Sequence, residues 1–155
     1  MTTPFMHVAC CVDESAASQR AIAAAGAVAA TRTTLVHVVP DRLPYQGGFG
    51  AWVPSQDGIA DAAEAWLERL AAEIDGAHAV TLHGNPAREV CDWAADNQVD
   101  LIVTASHSVA AERILLGSFS ADLARHAPCS VLLVRPVGRG ERGRKRSGSV
   151  QQEVV

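Results

Sequence analysis

The sequence predicts an α/β fold, a doubly wound five-stranded parallel sheet with helices on both faces. Three observations predict it. Short runs rich in Val, Ile and Leu recur along the chain and are apolar on both faces, as strands buried between two helix layers must be. Segments of helical propensity or spacing separate them. Polar loops and helix-starting residues follow the strands, where a doubly wound sheet carries its ligands.

The first strand is expected at His7–Val12 (HVACCV), closing on Asp13, Glu14 and Ser15. An Ala-rich helix, Ala16 to Ala30, follows. Ser15 is its expected N-cap, with Asp13 and Glu14 beside the positive end of the helix dipole. Thr34–Val39 (TLVHVV) is the second strand and stops at Pro40, which cannot continue a ladder. Two such strands around a helix make a right-handed βαβ unit. Residues 41–58 read as a long loop carrying Tyr45, Phe49 and Trp52, fitted to packing over the sheet, to a lid or to a partner contact.

Helical spacing resumes over Ile59–Ile74 through Ala62, Ala63, Trp66, Leu67 and Leu70. A short strand, Ala79–His83, leads into Gly84-Asn85-Pro86, where Asn85 is the expected N-cap and Pro86 the first residue of a helix reaching about Asn97. Leu101–Thr104 is the fourth strand, Ser118–His126 the last helix and Ser130–Val134 the fifth strand. Residues 1–137 form the expected domain. After Pro136 the periodicity ends, and 138–155, rich in Gly, Ser and charge, reads as a disordered basic tail.

The composition narrows the function. At 155 residues, 48% apolar and 19% charged, the chain is an ordinary globular domain with few aromatics. It contains no run of the roughly 18–20 apolar residues that span a bilayer and no signal-peptide pattern, so a cytoplasmic location without membrane contact is expected. The net charge of −4 divides unevenly, +3 on the tail and −7 on the body, an imbalance unsuited to nucleic acid. The Arg-Gly content of the tail suits solubilisation better than contact with RNA or an acidic partner. Cys10, Cys11, Cys91 and Cys129 lack metal-ligand spacing and read as small buried residues. The six histidines show no paired metal-binding pattern, so no metal site is expected.

Two strand-end loops carry the polar residues, Asp13-Glu14-Ser15 after strand one and Ala105 to Ser118 after strand four. Strands one and four are neighbours across the switch point of such a sheet, so the loops face one another. A helix opening on Gly117-Ser118 is an anion site: its first N–H groups lack intrahelical partners and carry the dipole's partial positive charge. Glycine admits close approach, and the Ser118 and Ser120 hydroxyls donate to phosphate oxygens. Asp13 would repel phosphate; it suits a ribose hydroxyl or a base amino group, or else capping of the helix that follows. The P-loop, G-x-G-x-x-G and G-x-S-x-G patterns are missing, which excludes a P-loop NTPase, a dinucleotide site and a hydrolase elbow. His107 reads as a hydrogen-bonding or surface loop residue, and no general base or nucleophile is evident.

Several stretches resemble the universal stress protein family: V-D-E-S at Val12–Ser15, LVHVVP at Leu35–Pro40, GNPAREV at Gly84–Val90, and DLIV with ILLGSFSADLARHAPCSVLLVRP in Asp100–Pro136. The resemblance covers His7 to Pro136. It implies a Rossmann-like sheet of the adenine-nucleotide alpha-hydrolase kind and a homodimer joined through Ser130–Val134. Many members bind ATP through a G-x-x-G-x9-G-[ST] loop. Carried over residue by residue, it implies a nucleotide site that includes Ser15, in which Asp13 meets the nucleoside and Val38 or Val39 lines an adenine slot. Ala105, Ser106 and His107 would open the phosphate loop, and Gly117, Ser118, Phe119 and Ser120 would close it.

Here Ala105 and Ser108 stand in place of the first two glycines, and eight residues rather than nine precede Gly117. Their β-carbons count against a triphosphate; the Gly-Ser end is kept. The expected ligand is ATP or AMP, with Mg as a companion ion, in a nucleotide-gated dimeric stress-response regulator. The alternatives are an interaction module of the same fold that binds no nucleotide, and a slow ATPase or self-phosphorylating protein using Ser118 or Ser120.

Overall fold

The structure is a computed structural model that describes residues 5–28, 30–41, 56–106 and 117–136. The loop aromatics Tyr45, Phe49 and Trp52, the segment 107–116 with His107 and Ser108, and the tail 138–155 lie outside the described residues. The elements alternate: β1 (Phe5–Cys11), α1 (Ala17–Ala27), β2 (Ala30–Val39), α2 (Gln56–Ala72), β3 (Ala77–His83), α3 (Pro86–Asp96), β4 (Leu101–Ala105), α4 (Ser118–His126) and β5 (Ser130–Val134). All strand pairs are parallel, in the order β3-β2-β1-β4-β5. This is the expected doubly wound five-stranded sheet.

Alternation along the strands feeds two cores. On one face Val8, Cys10, Leu35, Leu101 and Val103 pack with Ala21 and Ala25 of α1 and Leu67 and Ala71 of α2. On the other, Ala9, Cys11, Val36 and Ile102 pack with Val90, Cys91 and Ala94 of α3 and Leu123 of α4. The apolar runs are continuous because both faces are covered. Cys10, Cys11 and Cys91 are buried, unbridged core residues, and burial pushes the Cys10 thiol up to about 12. A buried thiol with so high a pKa is a packing group rather than a nucleophile.

Several boundaries differ from the sequence expectation. β2 begins at Ala30 because the backbone pairing with β1 runs on past the core, through Phe5↔Ala30 and His7↔Arg32, over exposed polar residues that break the apolar pattern. α2 starts at Gln56, inside the stretch expected to be loop. Asn85 caps α3 as expected, its side chain accepting from the Arg88 N–H with Pro86 in the first turn. Gly84 sits at φ +127, and a β-carbon there would lie 2.9 Å from the Glu89 carboxylate, so glycine is required at this turn.

One clasp sets β1 against β4 at the end of the sheet away from the helix-bearing loops. The Asp100 carboxylate accepts from the Met6 N–H at 2.7 Å and from the His7 N–H at 3.0 Å, and the Asp100 N–H donates to the His7 carbonyl. The buried His7 ring bridges the Asn97 carbonyl and the Thr34 hydroxyl, at 3.0 and 2.9 Å, edge-on to Trp93. Partial burial pushes the Asp100 carboxyl up, but the N–H groups of Met6, His7 and Asp100 itself, with the His7 ring beside them, together outweigh it and hold the group below its ordinary value of 3.8.

Asp100→Ala should therefore cost about 1–3 kcal/mol at neutral pH, by removing the acceptor of a partly buried N–H. The folded-state value lies below the unfolded one, so this stability is present above about pH 4 and is lost as pH falls further. Thermal unfolding of both proteins at pH 7 and at pH 3 checks this. The gap between their midpoints should narrow in acid, and a gap independent of pH would contradict the clasp.

Candidate functional site

At the carboxyl ends of β1 and β4 the chain leaves the sheet in opposite directions, α1 toward one face and α4 toward the other, and a cavity of about 640 Å³ opens between them. Its volume is that of a small-molecule or cofactor site. β1 supplies Cys11 and the residues after it, Val12 and Asp13; β2 supplies Val36, His37 and Val38; β4 supplies Thr104 and Ala105, followed by Ser106. Three helix starts complete it, with Ala17 and Ser18 of α1, Pro86 and Val90 of α3, and Gly117 to Ser120 at the head of α4.

The corner after β1 is a closed hydrogen-bonded turn. Asp13 Oδ1 accepts from the Ser15 N–H at 2.9 Å, the Ser15 hydroxyl at 2.5 Å and the Ser18 hydroxyl at 2.8 Å. The Ser18 oxygen accepts in turn from the Asp13 N–H at 2.7 Å. This corrects the expected N-cap. α1 begins at Ala17, the N-cap position falls on Ala16, and no acidic residue lies in the first turn. Ser15 is drawn toward Asp13 and its oxygen accepts only from the Ala17 N–H, at 3.3 Å.

β2 is laced to β1 beside this turn. The Val12 N–H donates to the Val36 carbonyl, and His37 Nδ1–H donates to the Val12 carbonyl at 2.9 Å. A carbonyl only accepts, so Nδ1 carries a proton. Trp66 of α2 meets the ring edge-on, with centroids 5.3 Å apart.

The far wall is the head of α4. Gly117 is the N-cap residue at φ −58 and ψ 158, and it offers no side chain to cap the first-turn N–H groups. Ser118 is exposed, Phe119 half-buried and Ser120 buried. Among the described residues, a β-carbon on Gly117 would meet no atom within 4 Å. The glycine therefore fits no crowded turn of the protein itself; it leaves space open at the cavity.

Of the sequence-predicted residues, the cavity brings together Asp13, Val38, Ala105, Ser106, Gly117, Ser118, Phe119 and Ser120. Ser15 and Val39 are not on its wall. Ser15 is turned into the Asp13 network, and Val39 points to the sheet face opposite Val38 while its carbonyl accepts from the Gly84 N–H. His107 lies outside the described residues. Sequence reasoning missed Ser18, His37 and Thr104. The D-x-S-x-x-S spacing of Asp13, Ser15 and Ser18 was the available signal for the first.

A model of the universal stress protein family matches residues 4–135. The chain belongs to the universal stress protein family. A universal stress protein of Methanothermobacter thermautotrophicus is 39% identical over 59 residues, 38% of this chain and 40% of that protein, so the match spans well under half of the relative's length. Universal stress protein A homolog 2 of Coxiella burnetii is 30% identical over 108 residues, 67% of this chain and 74% of its own. Among solved structures, a universal stress protein in complex with cAMP superposes with a TM-score of 0.56 at 25% identity, over 84% of this chain and 96% of that one. An Arabidopsis thaliana member with AMP bound gives 0.58 at 18% identity, over 84% and 91%. The Archaeoglobus fulgidus protein in complex with dAMP gives 0.55 at 19%, over 86% and 99%.

Ser18→Ala tests the turn that shapes the site. Removing the buried acceptor of the Asp13 N–H should cost about 1–3 kcal/mol. Ser15→Ala, at a half-buried position where water can substitute, should cost less. Chemical denaturation of the two variants measures the order, and equal losses would refute it.

Proposed function

We propose that this family member binds an adenine nucleotide in the cavity at the carboxyl ends of β1 and β4, and acts as a nucleotide-gated dimeric regulator rather than as a catalyst. The observation that carries the reading is the head of α4. An N-cap glycine with open space at its β-carbon position heads a run, Ser118 to Ser120, that lines the cavity and adds two hydroxyls to a helix N-terminus. The nucleotide-bound universal stress proteins of the same fold support the choice of adenine nucleotide. Apolar Val36 and Val38 offer a surface for a base, and the Asp13 corner faces the nucleoside part.

AMP is the expected ligand ahead of ATP with Mg. Among the described lining residues the only formal charge is that of Asp13, and none is a lysine or arginine. Hydroxyls and a helix N-terminus suit one phosphate better than three. Calorimetry with AMP and ATP on the folded protein tests the reading, and absence of heat at millimolar ligand would overturn it in favour of an interaction module that binds no nucleotide. Gly117→Asp should fold normally, since its β-carbon is unobstructed, and should weaken AMP binding at least about tenfold by placing a carboxylate beside the phosphate.

The partner side of the proposal is a homodimer through β5. This strand is at the edge of the sheet, pairs only with β4, and leaves Leu132 38% exposed. An edge strand with an exposed leucine is suited to pairing with a second copy. Leu132→Asp should shift the protein to monomer in light scattering; a wild type already monomeric at micromolar concentration would remove this part of the proposal. Among the described residues no helix is long and apolar enough to cross a membrane.

A further inference from the structure

Arg20 stands on α1 beyond Ser18, half-buried, and reaches across to the segment that leaves β4. Its Nη2 donates to the Ser106 carbonyl at 2.8 Å, a contact between residues 86 positions apart. The Ser106 N–H donates to the Val134 carbonyl at 2.9 Å, at the end of β5. Both backbone groups of Ser106 are thus held from opposite sides, one by a helix and the other by a strand. Its buried side chain forms part of the cavity wall.

The arginine is not placed for its own satisfaction. Its Nε is buried and has no hydrogen-bond partner among the described residues. An orphaned donor of this kind marks a side chain whose position answers to another demand. The residue it holds, Ser106, carries a β-carbon and has fewer conformations open to it than glycine, so few bonds are needed to choose its direction. Arginine is suited to that task, since its planar fork keeps its charge and its geometry together.

We infer that Arg20 is a positioning residue, whose guanidinium fixes the Ser106 corner of the cavity and so the wall that Ser106 presents to the bound ligand. The ligand arm of this inference rests on the nucleotide reading above; the clamp itself does not.

Two variants test it: Arg20→Met, which keeps an unbranched stem, and Arg20→Lys, which keeps a cation and one donor. Amide hydrogen exchange at Ser106 and calorimetry with AMP are the readouts. In the Met variant the Ser106 amide should exchange about tenfold faster or more, with the Val103 amide in mid-β4 unchanged, and AMP should bind about tenfold more weakly. The Lys variant should recover part of both effects, a rescue that a role in bulk stability would not produce; it also serves if the Met variant unfolds. Unchanged Ser106 exchange in the Met variant overturns the clamp, whether or not any nucleotide binds. Faster exchange with unchanged affinity, in a wild type that binds AMP, overturns the positioning role. A wild type that binds no AMP overturns the nucleotide reading and the ligand arm with it, and Ser106 exchange then decides the clamp alone.

Discussion

The structure depends on the register between β1 and β4, and that register is held by one carboxylate. Asp100 bridges the Met6 and His7 N–H groups while its own N–H returns to the His7 carbonyl, so Val8, Ala9 and Cys10 fall opposite Leu101, Ile102 and Val103. A parallel pair shifted along its axis would still bury valines, because apolar residues fill both faces of both strands. Apolar burial is therefore a poor judge of register here. The polar clasp at the far end supplies the missing discrimination, and it brings Asp13 and Ser106 to the same cavity. The crevice follows from topology: the helix after β1 covers one face, the helix after β4 covers the other, and the space between the two departing chains is left open.

Small residues make that geometry tight enough to matter. Ala21 and Ala25 of α1, Ala71 of α2 and Ala94 of α3 let helix backbones lie close to a sheet whose central strand carries Ala9, Cys10 and Cys11. Beside the cavity several polar groups are paired within the protein. Asp13 with Ser15 and Ser18, His37 with the Val12 carbonyl, and Arg20 with the Ser106 carbonyl form three short links, each joining a strand end to a neighbouring element or turn. The rim is thus organised before any ligand arrives.

How much of this was legible in the sequence follows from how local each signal is. The strands could be read because apolar runs on two faces leave no competing helix pattern, and α3 because Asn85 and Pro86 act within one turn of it. The start of β2 could not, since Ala30 and Arg32 are paired with β1 by a ladder that composition does not encode. The start of α1 was displaced from Ser15 because a nearby aspartate competes for its hydroxyl better than the helix end does. In the site, Gly117 to Ser120 announced themselves as a helix head after a strand. Ser18, His37, Thr104 and Arg20 belong to the site only because β1, β2, β4 and α1 converge, a fact of tertiary structure.

The charge pattern of the cavity sharpens what the fold alone leaves open. A helix N-terminus offers about half an elementary charge, and a hydroxyl offers none. Against one phosphate, these donors together with open space at Gly117 are a sufficient match. Each further phosphate adds charge to a described wall that already holds one carboxylate, and each would need a cation to offset it. Among the described residues, the permanent cation that stands near, Arg20, has a donor committed to the backbone of Ser106 rather than held out to a ligand. On the proposed reading, the site thus places its formal positive charge behind the wall, where it shapes the segment, and leaves phosphate recognition to neutral dipoles. That division favours a ligand of low charge and ties its binding to the Ser106 corner that Arg20 holds.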